Sequence, residues 1–203
     1  MLRVAIAGEF QDGKSTLINA LCGCDRAETG YGIATTSEVQ EYNIPGTNIL
    51  LLDTPGFNSR RAEDSEQARA GIAQADACMY MLINEFTSNR FKDMAKALQM
   101  PNGLYKPFIP FINDHGYANK EIASESIAVM EDCGLHPILF GNEVPVIHAL
   151  KWRKGKVREH VHQLGMRRLL YLLGVEPRQR VSPLEKICCL HKKLRSCFTF
   201  GEM

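Results

Sequence analysis

The sequence has no apolar run approaching the roughly 18 residues a helix needs to cross a bilayer. It has one tryptophan in 203 residues and almost no net charge, +1 from 24 Lys+Arg and 23 Asp+Glu. It also has no cysteine spacing suited to a zinc ribbon: Cys22 and Cys24 are two apart, Cys188 and Cys189 adjacent. The odd total of seven cysteines favours reduced thiols over a disulfide framework. Met1 to Ala7 is too short for a signal peptide and runs straight into a glycine-rich stretch, so a cytoplasmic location is expected. At 45% hydrophobic and 23% charged, the composition excludes disordered and collagen-like chains. The length allows one domain with an appendage and a real core.

The small net charge hides an asymmetry. Residues 1–150 carry 11 Lys+Arg against 19 Asp+Glu, and residues 151–203 carry 13 against 4. The acidic body therefore ends in a basic segment. It begins with Lys151-Trp152-Arg153-Lys154-Gly155-Lys156 and continues through Arg167-Arg168 into a tail that mixes Lys, Cys and Phe. Such a segment suits RNA, an acidic partner or an anionic membrane surface to which the protein would be peripheral. It also suits a solvated helix face followed by a frayed end.

Short apolar runs alternate with helical patterns. Strands are expected at Leu2–Ala7, Glu38–Ile44, Asn48–Leu52, Ala77–Ile83, Pro107–Ile112 and Val144–His148. Helices are expected at Lys14–Cys22, Ala62–Gln74, Arg90–Gln99, Lys120–Glu131 and Lys156–Leu173. That alternation implies an α/β fold, a parallel sheet with helices on both faces. Ligands in such sheets bind beyond the carboxyl ends of the strands.

Between the first strand and the first helix, Gly8-Glu9-Phe10-Gln11-Asp12-Gly13-Lys14-Ser15 fits the phosphate-loop pattern G-x-x-x-x-G-K-[ST]. Its glycines let the backbone wrap closely around phosphate oxygens, and successive N–H groups form a concave anion site at a helix N-terminus. Gly8, Gln11, Asp12, Gly13, Lys14, Ser15 and Thr16 are the expected nucleotide-binding set. Lys14 reaches the β- and γ-phosphates, and the Ser15 hydroxyl binds Mg²⁺. Asp12 places a carboxylate in an anion-binding loop, so it must point away from the phosphates or weaken binding.

The third strand delivers Asp53-Thr54-Pro55-Gly56. Asp53 can hold Mg²⁺ through water, and the Gly56 N–H can reach a γ-phosphate. Between the two motifs, Thr36, favoured over Thr35, can add a hydroxyl to the metal and an N–H to the γ-phosphate. Segments of this kind order around a γ-phosphate and relax after hydrolysis.

These residues, with Thr16-Leu17-Ile18-Asn19-Ala20-Leu21 and Phe57-Asn58, resemble the translation-factor-related GTPases, and within them the Era-like and bacterial dynamin-like branches. The resemblance covers about residues 1–175, leaving 176–203 as a basic, Cys-containing tail. It implies a three-layer P-loop fold with six strands, the second antiparallel, and Mg²⁺-dependent hydrolysis of GTP as a switch. It makes Lys14, Gln11, Thr36 and Gly56 the catalytic set, and Ser15, Thr36 and Asp53 the metal set. Gln11 would orient the water, since Phe57 stands where Ras-like proteins carry glutamine. Arg60 and Arg61 are candidate charge stabilisers. A homodimer through the nucleotide face is the expected way to speed a slow isolated domain.

The guanine-reading motif of this family, N-K-x-D, is altered. Here the fifth strand ends at Asn113-Asp114-His115-Gly116. Asn113 is kept, but the Lys and Asp positions hold Asp114 and Gly116. The second base loop resembles His148-Ala149-Leu150, with backbone N–H groups of Ala149 and Leu150 toward the guanine O6. Either Asp114 reads the base from a shifted loop, or another residue does so or selectivity is relaxed toward other nucleotides, or the domain is a degenerate G-fold scaffold with little hydrolysis.

Overall fold

A computed structural model describes residues 1–29, 38–57, 62–83, 88–114, 120–139, 143–158 and 160–175. The expectations for Thr35, Thr36, Asn58, Arg60, Arg61, His115, Gly116 and the tail from 176 lie outside these residues.

The strands are β1 (Leu2–Ala7), β2 (Gln40–Asn43), β3 (Ile49–Asp53), β4 (Ala77–Leu82), β5 (Phe108–Asn113) and β6 (Val146–Ile147). The helices are α1 (Lys14–Cys22), α2 (Ala62–Gln74), α3 (Ser88–Leu98), α4 (Lys120–Asp132), α5 (Ala149–Arg153) and α6 (His160–Leu172). The strands form one sheet in the order β2-β3-β1-β4-β5-β6. β2 runs antiparallel to β3, and every other pair is parallel. This is the six-stranded, mostly parallel α/β sheet expected from the alternation of patterns and the family resemblance.

Strand periodicity sorts the core into two faces. Val4, Ile6, Leu51, Met79, Met81, Ile109 and Phe111 pack with Leu17 and Ile18 of α1 and with Met166 and Leu169 of α6. Ala5, Ala7, Leu52, Cys78, Tyr80 and Ile112 pack with Ile72 of α2, Met94 of α3 and Met130 of α4. Pro110 is tolerated inside β5 because it shares its side of the strand with Ile112. The Ile112 N–H donates across to Pro145 O at 2.8 Å, and the β5–β6 ladder pairs only Ile112 and Asn113, so that ladder does not need the donor Pro110 lacks.

Two expectations need correction. The last strand is two residues long, not Val144–His148. The final helix expected from Lys156 starts at His160, and a separate short helix, α5, precedes it. Helix α5 ends in a tight turn in which Lys156 N–H donates to Lys151 O at 2.8 Å and Gly155 takes φ 63°. The basic run Lys151-Trp152-Arg153 therefore lies on α5 rather than forming a free patch. Arg153 pairs with Asp25, and Trp152 packs against the α1–α6 core.

Helix α6 lies tight on β6. A Cβ at Gly165 would collide with the Val146 carbonyl, so only glycine permits this approach. That closeness carries His162, one helical turn earlier on the same face, to the end of β5.

Candidate nucleotide site

The P-loop leaves β1 at Gly8 and enters α1 at Lys14. Gly13, at φ 92°, precedes α1 in the left-handed region and supplies no side-chain cap, and the first turn holds no acidic residue. The first N–H groups of α1 are thus left to an anion by the sequence itself. Gln11 also sits at positive φ, 66°, a conformation that costs a non-glycine residue energy and recurs at functional loops.

Lys14 is buried, with its Nζ donating to Glu9 O at 2.7 Å and, more weakly, to Gly8 O at 3.5 Å. Burial pushes its pKa down, while the carboxylates of Asp12, Asp53 and Glu9 oppose that shift. The Ser15 hydroxyl donates to Asp53 Oδ2 at 3.0 Å. A hydroxyl and a carboxylate converging at the loop mouth are hard oxygen donors and fit Mg²⁺ chemistry. No group of three His, Cys, Asp or Glu able to hold a metal alone occurs among the described residues. Ser15 and Asp53 therefore suit an ion that takes its remaining ligands from phosphate and water.

The expectation for Gly56 was an N–H toward a γ-phosphate. The structure adds a second reason for glycine there, since a Cβ would lie 2.7 Å from Phe10 Cα and 2.7 Å from Phe10 N. The segment is zipped to the P-loop: Phe57 N–H donates to Gly8 O at 3.0 Å, and Phe10 N–H donates to Phe57 O at 3.1 Å. The Phe57 ring is buried and stacks on Tyr80, with centroids 6.3 Å apart. Thr54 Oγ1 donates to Ile6 O at 2.8 Å, fixing the end of β3 on β1.

Asn113 joins both halves of the site. Its Nδ2 donates to Asp12 O at 2.9 Å, and its Oδ1 accepts from Ala149 N–H at 3.1 Å. A Cβ at Gly13 would come within 2.7 Å of that Nδ2, so the second P-loop glycine makes room for the clamp. Residues 3–114, which run from β1 through this clamp, match the family of 50S ribosome-binding GTPases. The chain belongs to that family.

The curated relatives agree. The chain is 34% identical over 142 residues to the tRNA modification GTPase MnmE of Synechococcus sp. (strain RCC307), covering 66% of this chain and 30% of that protein. It is 27% identical over 134 residues to the GTPase Der of Rhodopirellula baltica, covering 61% of this chain and 29% of that protein. It thus spans under a third of the length of these relatives. Among solved structures, Era in complex with MgGDPNP and a segment of 16S ribosomal RNA aligns with a TM-score of 0.52 at 24% identity. That alignment covers 90% of this chain and 59% of that one. An Aquifex aeolicus Era variant bound to GDP·AlF4⁻ aligns at 0.51 and 22% identity, over 91% and 60% of the two chains. The fold is therefore that of the Era-like P-loop GTPases.

The base side departs from the family's pattern. Asp114 is buried, and its Oδ2 lies 2.8 Å from His162 Nε2 of α6, itself buried. His148 stands edge-on to the His162 ring, with centroids 5.7 Å apart. The stretch read as a base loop lies at the start of α5. His148 caps it, its Nδ1 accepting from Lys151 N–H at 3.4 Å, while Ala149 and Leu150 form the first turn. The Ala149 N–H expected at a base oxygen is held by Asn113. Sequence reading missed His162. It lies 48 residues from Asp114, and no local pattern joins the two. Only the glycine at position 165, three residues on, hints at a close helix–strand approach.

Proposed function

We propose that this chain is a Mg²⁺-dependent GTP-hydrolysing switch domain. The observation that carries the reading is the convergence of Lys14, Ser15 and Asp53 beside the uncapped N-terminus of α1. Lys14 gives up its carbonyl contacts for phosphate oxygens. Because its charge is buried and poorly compensated by water, an anion there gains more than at a surface lysine. A Mg²⁺ held by Ser15 and Asp53, with Thr36 as third protein ligand, would neutralise charge on the β- and γ-phosphates. Gln11 positions the attacking water, and the Gly56 segment reports the γ-phosphate. Positioning and electrostatics carry such catalysis, so turnover of the isolated domain is slow. Dimerisation through the nucleotide face would raise it, and the rate per molecule should then increase with protein concentration.

A specific observation favours a second reading of base selection. Gly116 stands at the family's base-reading Asp position, and Asp114 is engaged by His162. Losing a dedicated carboxylate partner relaxes discrimination by about a hundredfold or more. Calorimetric titration with GTP, GDP and ATP, with and without Mg²⁺, separates the readings. Binding of GTP but not ATP supports the switch, and equal binding supports relaxed specificity. Binding of neither at millimolar concentration leaves only a scaffold.

The Era structure contains 16S ribosomal RNA. For this chain we extend that only to the basic C-terminal segment, whose charge suits RNA as the first candidate partner. Co-sedimentation with RNA and with anionic liposomes, comparing the full chain with a 1–175 truncation, tests it. Equal behaviour of the two proteins removes the tail from 176 onward from any such role.

A further inference from the structure

The P-loop of this chain carries a carboxylate among donors that serve an anion. We propose that Asp12 is a built-in counter-ion of the phosphate loop, holding the empty loop in shape and lowering its affinity for nucleotide. The proposal rests on the GTP-binding reading above.

The geometry gives Asp12 a fixed place. Its Oδ2 accepts the Glu9 N–H at 2.6 Å. The residue is 4% exposed. A Cβ at Gly8 would lie 2.8 Å from that same oxygen, so the first P-loop glycine leaves room for the carboxylate. The Asp12 backbone is pinned as well: its carbonyl accepts from Asn113 at 2.9 Å, and its N–H meets Glu9 O at 3.4 Å. With main chain and side chain both tied, the carboxylate has no easy route out of the loop. A bound nucleotide must coexist with it.

Two consequences follow from one charge. In the empty loop, Lys14 is buried with its Nζ on the Glu9 and Gly8 carbonyls, and the Asp12 carboxylate on the Glu9 N–H supplies opposite charge within the same loop. Removing the Asp12 charge therefore destabilises the nucleotide-free protein. In the loaded loop the same charge stays within the loop that wraps the phosphates, where little water intervenes. Removing it therefore tightens binding, and more for a triphosphate than for a diphosphate. A residue that merely shaped the loop would move both quantities in the unfavourable direction.

The test uses the full chain with Asp12→Asn, which keeps an oxygen for the Glu9 N–H and loses the charge. Asp12→Ser, smaller and also uncharged with an acceptor, serves if the first variant does not fold. Thermal unfolding without nucleotide is measured beside titration with fluorescent GTP and GDP analogues in Mg²⁺. The expected result is a Tm lower by about 2–5 °C together with GTP binding about tenfold tighter or more, a smaller gain for GDP and a slower koff. A variant that binds GTP no tighter than wild type overturns the proposal, as does an unchanged or raised Tm of the empty protein. Failure of every protein, wild type included, to bind either analogue overturns the GTP-binding reading instead, and is thereby distinguishable.

Discussion

Replacing Asn113 by alanine removes a side chain that ties the P-loop to the start of α5. The substitution deletes two buried hydrogen bonds, to Asp12 O at 2.9 Å and from Ala149 N–H at 3.1 Å. It leaves a buried carbonyl and a buried N–H to find new partners. Each orphaned group costs about 1–3 kcal/mol, so the sum is about 2–4 kcal/mol after partial relaxation. For a domain of this size each kcal/mol moves Tm by about 2–4 °C, and the expected loss is about 5–15 °C in thermal unfolding of the nucleotide-free chain. Nucleotide affinity should fall with it, because the Asp12–Gly13 peptide that opens the loop onto α1 is no longer anchored. A Tm within about 2 °C of wild type, with unchanged GTP affinity, would refute the claim that this clamp organises the site.

Other perturbations follow from the same geometry. His162→Leu leaves the buried Asp114 carboxylate without its imidazole partner and should cost about 1–3 kcal/mol. A double-mutant cycle with Asp114→Asn should show coupling above about 0.5 kcal/mol, and additivity would show that the 2.8 Å contact carries no energy. Gly165→Ala drives a methyl into the Val146 carbonyl and should destabilise by more than about 2 kcal/mol or abolish soluble expression, whereas wild-type stability would mean α6 is not seated on β6 as described. Burial pushes the Cys78 thiol up to about 12 from its ordinary 9.0. Below pH 9 the thiol is protonated folded or unfolded, and between 9 and 12 only the unfolded chain ionises. Its contribution is therefore complete below pH 9 and lost as pH rises toward 12. Cys78→Ala should flatten the decline of stability with pH in denaturant titrations above pH 9, and an unchanged slope would contradict the burial.

Much of the fold was legible because its signals are local. An apolar run stopping at Gly8 and a helical spacing from Lys14 to the glycine after Cys22 are short-range facts, and β1 and α1 lie where they place them. The all-apolar stretch ending in Asp53 marked β3 for the same reason. The strand expected at Val144–His148 is there, but its two-residue extent and the separate helix α5 were not legible. Two residues and five residues are too few for a period to register, and the charges of α5 disguised a helix as a basic patch. At the site, Lys14, Ser15 and Asp53 followed from motif chemistry, and the structure brings them together. The clamp role of Asn113 and the Asp114–His162 pair were not legible, because they depend on how β5, α5 and α6 meet. Those contacts link residues 36 to 101 positions apart, and tertiary packing alone decides them. Asp12 was visible as an anomaly, but only the structure shows its carboxylate turned onto the Glu9 N–H.

Hydrolysis of GTP by a site built on Lys14 is the proposed activity. The direct measurement is phosphate release from GTP by the purified full chain with Mg²⁺, beside Lys14→Ala and a Mg²⁺-free control. Slow, saturable release is expected, abolished by Lys14→Ala and by removal of Mg²⁺. Release by the Lys14→Ala protein at the wild-type rate, or none by wild type over a range of protein concentrations that would allow dimerisation, would contradict it.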